Sequence, residues 1–167
     1  SDAGGYTIGT DNLQAGRLAG EHLLERGCRR IAFLGHADEH YPEFRGRCEG
    51  LRKAIREAGL NSAESLQFDA ITTEEAGHAA AEALIASGEP FDAVFAASDL
   101  IAIGAMRSLI EHGVRVPEDV AIVGFDDIPA ASLTTPPLTT IMQDIRGAGE
   151  ALVETLIAQI EGGDPPP

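Results

Sequence analysis

The chain is predicted to fold as an α/β domain, a Rossmann-like parallel sheet with helices on both faces. Short apolar runs recur along it, among them RIAFLG (Arg30–Gly35), FDAVFAAS (Phe91–Ser98) and VAIVGF (Val120–Phe125). Amphipathic helical stretches separate these runs, so successive strands are joined by crossovers and run parallel. The runs are apolar nearly throughout, as in strands covered on both faces.

The elements follow in order. Asp11-Asn12 offers a helix N-cap, Ala15, Leu18, Ala19 and Leu23 form one helical stripe, and Gly27 ends it. RIAFLG is the first strand. A second helix carries apolar Phe44, Cys48, Leu51, Ile55 and Ala58 and closes at Gly59. SLQF (Ser65–Phe68) is a weaker strand. An Ala-rich helix over about 73–87 presents Ala76, Ala80, Ala83 and Leu84, small enough for close packing on a sheet. After FDAVFAAS another helix runs to His112, with Gly113 as its cap. VAIVGF and the short TTIM (Thr139–Met142) are the last strands. A final helix is expected over Ile145–Ile160, before an irregular or polyproline-like GGDPPP.

Charge narrows the function. The net charge is −15, from 27 acids against 12 bases, and Lys53 is the single lysine. Phosphate backbones are held by clustered Lys and Arg, so this chain by itself is not expected to bind nucleic acid. No apolar run is long enough to cross a bilayer, and no signal peptide is visible in a sequence that starts at Ser1. Cys28 and Cys48 are expected to be free buried thiols, in keeping with a reducing cytoplasm.

Candidate functional groups gather at strand ends. A parallel sheet brings Gly35-His36, Ser98-Asp99 and Asp126-Asp127 to one edge, where ligands bind in such folds. Ser98 or Asp99 is also a good N-cap, so each is either a helix cap or a ligand contact. Asp127 suits the turn before Pro129. Asp126, directly after a buried aromatic, calls for a partner or a ligand. Arg47 flanks the apolar stripe of its helix near the N-terminus, where a cation opposes the dipole. It is either half of a structural salt bridge or a guanidinium fork aimed at a ligand. HADEH (His36–His40) is too loosely spaced for a metal site, and neither metal nor cofactor is expected. No phosphate-binding lysine loop, nucleophile elbow or Cys/His triad spacing is present, so no enzyme is expected. In the helix after Asp99 the apolar arc spans about 200°. It is either buried deeply within the chain or shared between the sheet and a second subunit.

TDN near the start, HLLERGCRRIAFLG, RGRCEGLRKAI, FAASDLIAIGAMRSLIEHGVRVPEDVAIVGFDD and PPLTTIMQD follow one another in an order that resembles the lac-repressor and galactose-repressor family. The resemblance spans nearly the whole chain and is most specific over VPEDVAIVGFDD…PPLTT. It implies a periplasmic-binding-protein-like lobe. Residues 1–143 would be the C-terminal lobe of an effector-binding domain. Residues 144–167 would be a hinge crossing and a helix that packs on an N-terminal lobe not present here. The DNA-reading headpiece would lie outside the chain as well.

Carried over by position, Arg47 matches the family arginine that grips the effector, and Asp126 the acid that accepts sugar hydroxyls. Gln143 matches a glutamine near the hinge. Ser98 stands where the family usually has Asn, which implies a shorter or water-mediated contact. Thr72 stands where well-studied members stack an aromatic on the ligand, and Phe68 is the nearby substitute. Ile103, Met106, Ile110, Ala131 and Leu133 match dimer contacts. The resemblance thus implies a cytoplasmic homodimer that binds a sugar-like effector and reaches operator DNA only through the missing headpiece. The alternative is a periplasmic sugar-binding protein for transport or sensing. A phosphoacceptor domain would need a lysine at a later strand end, and Lys53 lies on a helix.

Overall fold

The computed structural model describes residues 11–142. Five strands, β1 (Ile31–Leu34), β2 (Gln67–Phe68), β3 (Ala93–Ala96), β4 (Ala121–Phe125) and β5 (Thr139–Ile141), form one sheet in the order β2-β1-β3-β4-β5. Every pairing is parallel, with Phe33 opposite Phe95 and Phe95 opposite Val123 across the centre. Strands β1 and β3 are buried at every position, as their unbroken apolar runs require. The reversal of strand order lies between β1 and β3, and opens a crevice at their carboxyl ends.

Four helices flank the sheet: α1 (Asn12–Glu25), α2 (Pro42–Glu57), α3 (Glu74–Ala86) and α4 (Asp99–Glu111). Right-handed crossovers put α2 on one face and α3 and α4 on the other, since β1 to β2 and β2 to β3 progress in opposite directions. Helix α1 packs against α2, and α3 against α4. Both pairs meet through glycine. Gly16 lies on the backbone of Arg47, Gly50 on Leu13, Gly77 on Ile101 and Gly104 on Glu74, each too close to admit a methyl group. The helix ends expected at Gly27, Gly59 and Gly113 all carry the positive φ that glycine tolerates.

Three helical stripes differ from expectation. Leu18 is 44% exposed, because Gly16 and Gly20 form the buried face of α1 instead. Ala58 and Ala83 are exposed as well, and Gly77 and Ala81 join Ala80 and Leu84 in the core. Sequence periodicity locates apolar residues, but a face built from glycine carries no hydrophobic signal. SLQF divides evenly, Ser65 and Leu66 closing a 3-10 turn over Glu64–Leu66 and Gln67–Phe68 entering the sheet. The hinge crossing and helix expected over 144–167 lie outside the described residues.

The wide arc of α4 is explained within the chain. Ile101, Ala102, Ala105, Met106 and Leu109 are buried, some against the sheet and others toward α3. Met106 at 4% and Ala131 at 1% exposure, both expected at a subunit interface, are interior side chains of this chain. Ile103 is half-buried, while Ile110 and Leu133 stay on the surface, Leu133 at 80% exposure. Among the described residues, no helix is long and apolar enough to cross a membrane. Both cysteines are free and buried.

Candidate functional site

The carboxyl edge of the sheet gathers Arg47 and Asp126. Arg47 is 5% exposed despite its charge. Its place in the second turn of α2, beside Cys48 and Leu51 on the buried face, carries the side chain inward over the strand ends. Nη1 donates to the carbonyl oxygen of Ala97, just past β3, at 2.6 Å. Nε donates to Oδ1 of Asn12 at the start of α1, at 3.0 Å. The guanidinium lies 3.6 Å from the centroid of the Phe125 ring and 5.4 Å from that of Phe44. Two of five donors are thereby committed, and two aromatic rings fix the plane of the fork.

Asp126 follows Phe125 directly, half-buried, with φ of 113°. Asp127 follows at φ 57°. Positive φ is rare outside glycine, and most tolerated by Asp and Asn. Burial pushes the Asp126 carboxyl up from its ordinary value, the Arg47 charge pulls it back, and Asp99 pushes it up further. Burial likewise pulls Arg47 down, against the opposing charges of Asp126 and Glu43. A buried, planar donor and a half-buried acceptor therefore lie at the same edge, near enough for each charge to act on the other though not in direct contact. Such a pair orients a polyhydroxylated ligand by charge-assisted hydrogen bonds, and needs no bond-breaking chemistry.

The other expected residues distribute as follows. Ser98 is the N-cap of α4, its Oγ accepting from the N–H of Ile101 at 3.3 Å, and is 2% exposed. The capping reading accounts for this hydroxyl. Phe68 ends β2 and is half-buried against the core. Thr72 is exposed in the bend before Thr73, which caps α3. Gln143 lies outside the described residues. Among the described residues, no three His, Cys, Asp or Glu side chains gather as a metal-holding group.

Three sets of contacts escaped the sequence reading. Asn12 orients Arg47, whereas the sequence read Asp11-Asn12 as a helix cap and TDN as part of the family resemblance. His36, Tyr41 and Phe44 form a run of stacked rings, with centroids 4.9 and 6.0 Å apart, ending beside Arg47. Their spacing, across a loop and into a helix, has no periodic signature. Asp99 is 1% exposed. Its carboxylate accepts from Ile128 N–H at 2.9 Å and from Thr140 Oγ1 at 2.7 Å. A cavity of about 100 Å³ lies at the opposite edge, near the start of β4 and β5, lined by residues including His22, Met106, Pro117 and Leu138. It includes neither Arg47 nor Asp126.

Comparison with known proteins bears on this geometry. The profile of the family described as "Periplasmic binding protein-like domain" matches residues 21–167. The HTH-type transcriptional regulator CelR of Thermobifida fusca is 37% identical over 155 residues, 93% of this chain and 45% of the relative. The crystal structure of the Escherichia coli transcriptional repressor ascG superposes with a TM-score of 0.88 at 31% identity, over 98% of this chain and 59% of that one. A transcriptional regulator CelR–cellobiose complex gives 0.82 at 38% identity, over 91% of this chain and 46% of that one. The chain spans about half the length of the relatives it matches. The parallel sheet, the charged pair at its carboxyl edge and these matches lead to one assignment: the chain belongs to the periplasmic binding protein-like domain family, and the relatives it matches are transcriptional regulators of the lac-repressor type.

Proposed function

We propose that this chain supplies an effector-binding lobe to a DNA-binding transcriptional regulator, with a sugar or sugar derivative as the effector. The observation that carries the reading is the pairing of buried Arg47 with Asp126 at the carboxyl edge of the sheet. Asp126 accepts from two ligand hydroxyls, and the remaining donors of Arg47 fork onto a ligand oxygen. Each such bond contributes about 1.5–3 kcal/mol once water is excluded. The cellobiose in the complex of a relative supports a saccharide.

At −15, the chain is a poor partner for DNA, so operator contact belongs to another part of the parent polypeptide. The effector bridges this lobe and a second one, favours one of two lobe angles, and alters the spacing of two DNA-reading domains. Of the residues expected at a dimer face, Ile110 and Leu133 are exposed and Ile103 is half-buried, which leaves them available for self-association. Gln143, at the hinge, is expected to join the site. Such a regulator acts in the cytoplasm, as a homodimer, and without catalysis or cofactor.

The test is isothermal titration of the full-length parent polypeptide with a saccharide panel that includes cellobiose, beside Arg47→Met and Asp126→Ala. A saccharide that binds the parent and is lost in both variants supports the reading. Equal binding in all three removes the site, and no binding of any saccharide to the parent removes the ligand class. Leu133→Glu with Ile110→Glu should lower the sedimentation coefficient. An unchanged profile removes the dimer face.

A further inference from the structure

The turn that carries Asp126 has an unusual construction. Two successive non-glycine residues hold positive φ, 113° and 57°. Each costs free energy on its own and persists only where its surroundings over-determine it. Three consecutive backbone N–H groups are captured there. Asp126 donates to the Ile141 carbonyl at 3.0 Å, Asp127 to Thr140 Oγ1 at 3.2 Å, and Ile128 to Asp99 Oδ2 at 2.9 Å. Thr140 in turn donates to Asp99 Oδ1 at 2.7 Å. One carboxylate thus sits behind two of the three captures, one directly and one through a hydroxyl that accepts from the turn and donates to the acid.

Space for this carboxylate comes from β4. A Cβ at Gly124 would fall on Asp99 Oδ1, so a glycine two residues before Asp126 is what lets the acid in. Asp99 is otherwise a costly residue to bury. Helix capping does not explain it, because Ser98 is the cap of α4. Its bonds run instead to the segment after β4 and to β5.

We propose that Asp99 is a positioning residue for ligand binding: without touching ligand, it holds the Asp126–Ile128 turn in the conformation that turns the Asp126 carboxylate toward Arg47. Thr140 relays the same constraint, and Gly124 makes room for it. The role in binding rests on the effector-site reading given above. The latch itself is a property of the turn and is measurable without any ligand.

The experiment is residue-resolved amide exchange of the full-length parent polypeptide, with cellobiose titration alongside, for Asp99→Asn, Thr140→Val and Thr140→Ser. Asparagine cannot accept at both positions without turning its NH₂ toward a donor. Exchange at Asp127 and Ile128 should accelerate about tenfold or more in Asp99→Asn, while Phe33 and Phe95 in the sheet keep wild-type protection. Thr140→Val should loosen Asp127, and Thr140→Ser should restore it, an outcome that general loss of stability does not produce. If Asp99→Asn fails to fold, the valine–serine pair at 140 decides. Wild-type protection at Asp127 in Thr140→Val, or at Asp127 and Ile128 in a folded Asp99→Asn, overturns the latch. A loosened turn with cellobiose affinity reduced about tenfold supports the full proposal. A loosened turn with unchanged cellobiose affinity overturns the positioning role. A loosened turn in a parent that binds neither cellobiose nor any other member of the saccharide panel supports the latch and overturns the effector reading instead.

Discussion

Substituting Gly16 by alanine separates helix propensity from packing at the base of the site. On propensity alone the change stabilises α1 by about 1 kcal/mol, since glycine is the poorest ordinary residue in a helix interior. Packing opposes it. The new methyl lands well inside 3.0 Å of the carbonyl oxygen, carbonyl carbon and Cα of Arg47, all backbone atoms that cannot rotate away. Helices α1 and α2 must therefore part by roughly 1 Å, and the overpacking cost is about 1–3 kcal/mol or more. With all three contacts to backbone, the cost falls in the upper part of that range, about 2–3 kcal/mol, so the net effect should be destabilisation of about 1–2 kcal/mol, together with displacement of Arg47 from Ala97 and Phe125. Gly46→Ala is the control. Its methyl meets chiefly the Asn12 Cβ, at 2.9 Å, so a smaller shift suffices and its cost should be lower. Urea unfolding followed by far-ultraviolet circular dichroism measures both. A Gly16→Ala variant as stable as wild type, or more stable, would refute the argument that backbone contact dominates this interface.

Asp126 should make stability pH-dependent. Its folded pKa is raised, chiefly by burial, so the native state holds the proton more tightly than the unfolded chain. The contribution is fully present below the ordinary carboxylate value and is lost as pH rises through the raised one. Asp126→Asn should therefore gain on wild type as pH climbs through that window, read from paired urea titrations; a constant difference contradicts the assignment. Ser98→Ala should cost about 1 kcal/mol through the lost α4 cap, yet leave saccharide affinity within about twofold. A large affinity loss by calorimetry at unchanged stability would instead make Ser98 a ligand contact. Burial pushes the Cys48 thiol up to about 11 and raises Cys28 as well. At pH 8 an aromatic disulfide reagent should label neither cysteine until denaturant is added, and rapid native labelling would show that the core opens.

Much of the architecture was legible because it rests on local patterning. RIAFLG, FDAVFAAS and VAIVGF are apolar on both faces of the strand, and such runs become strands only inside a covered parallel sheet. The parallel order then sends Ser98-Asp99 and Asp126-Asp127 to one edge. Arg47 was conspicuous because a cation beside a buried stripe near a helix N-terminus has no local stabilisation.

Sequence by itself therefore determined the fold class and the sheet edge at which Ser98-Asp99 and Asp126-Asp127 gather, because these follow from hydrophobic period and strand direction. Only tertiary structure decided what the side chains at that edge touch. Arg47 meets Ala97, 50 residues away, and Thr140 meets Asp99 across 41. Asp99 and Ser98 are adjacent and equally suited to capping, yet Ser98 caps α4 while Asp99 secures the turn after β4. Met106 and Ala131 share the apolar character of Ile110 and Leu133, yet one pair is interior and the other on the surface. Residue type sets what a side chain can do. Which neighbour it meets depends on helix rotation, loop path and the glycine contacts that let α1 approach α2 and α3 approach α4, and none of these has a periodic trace in the sequence.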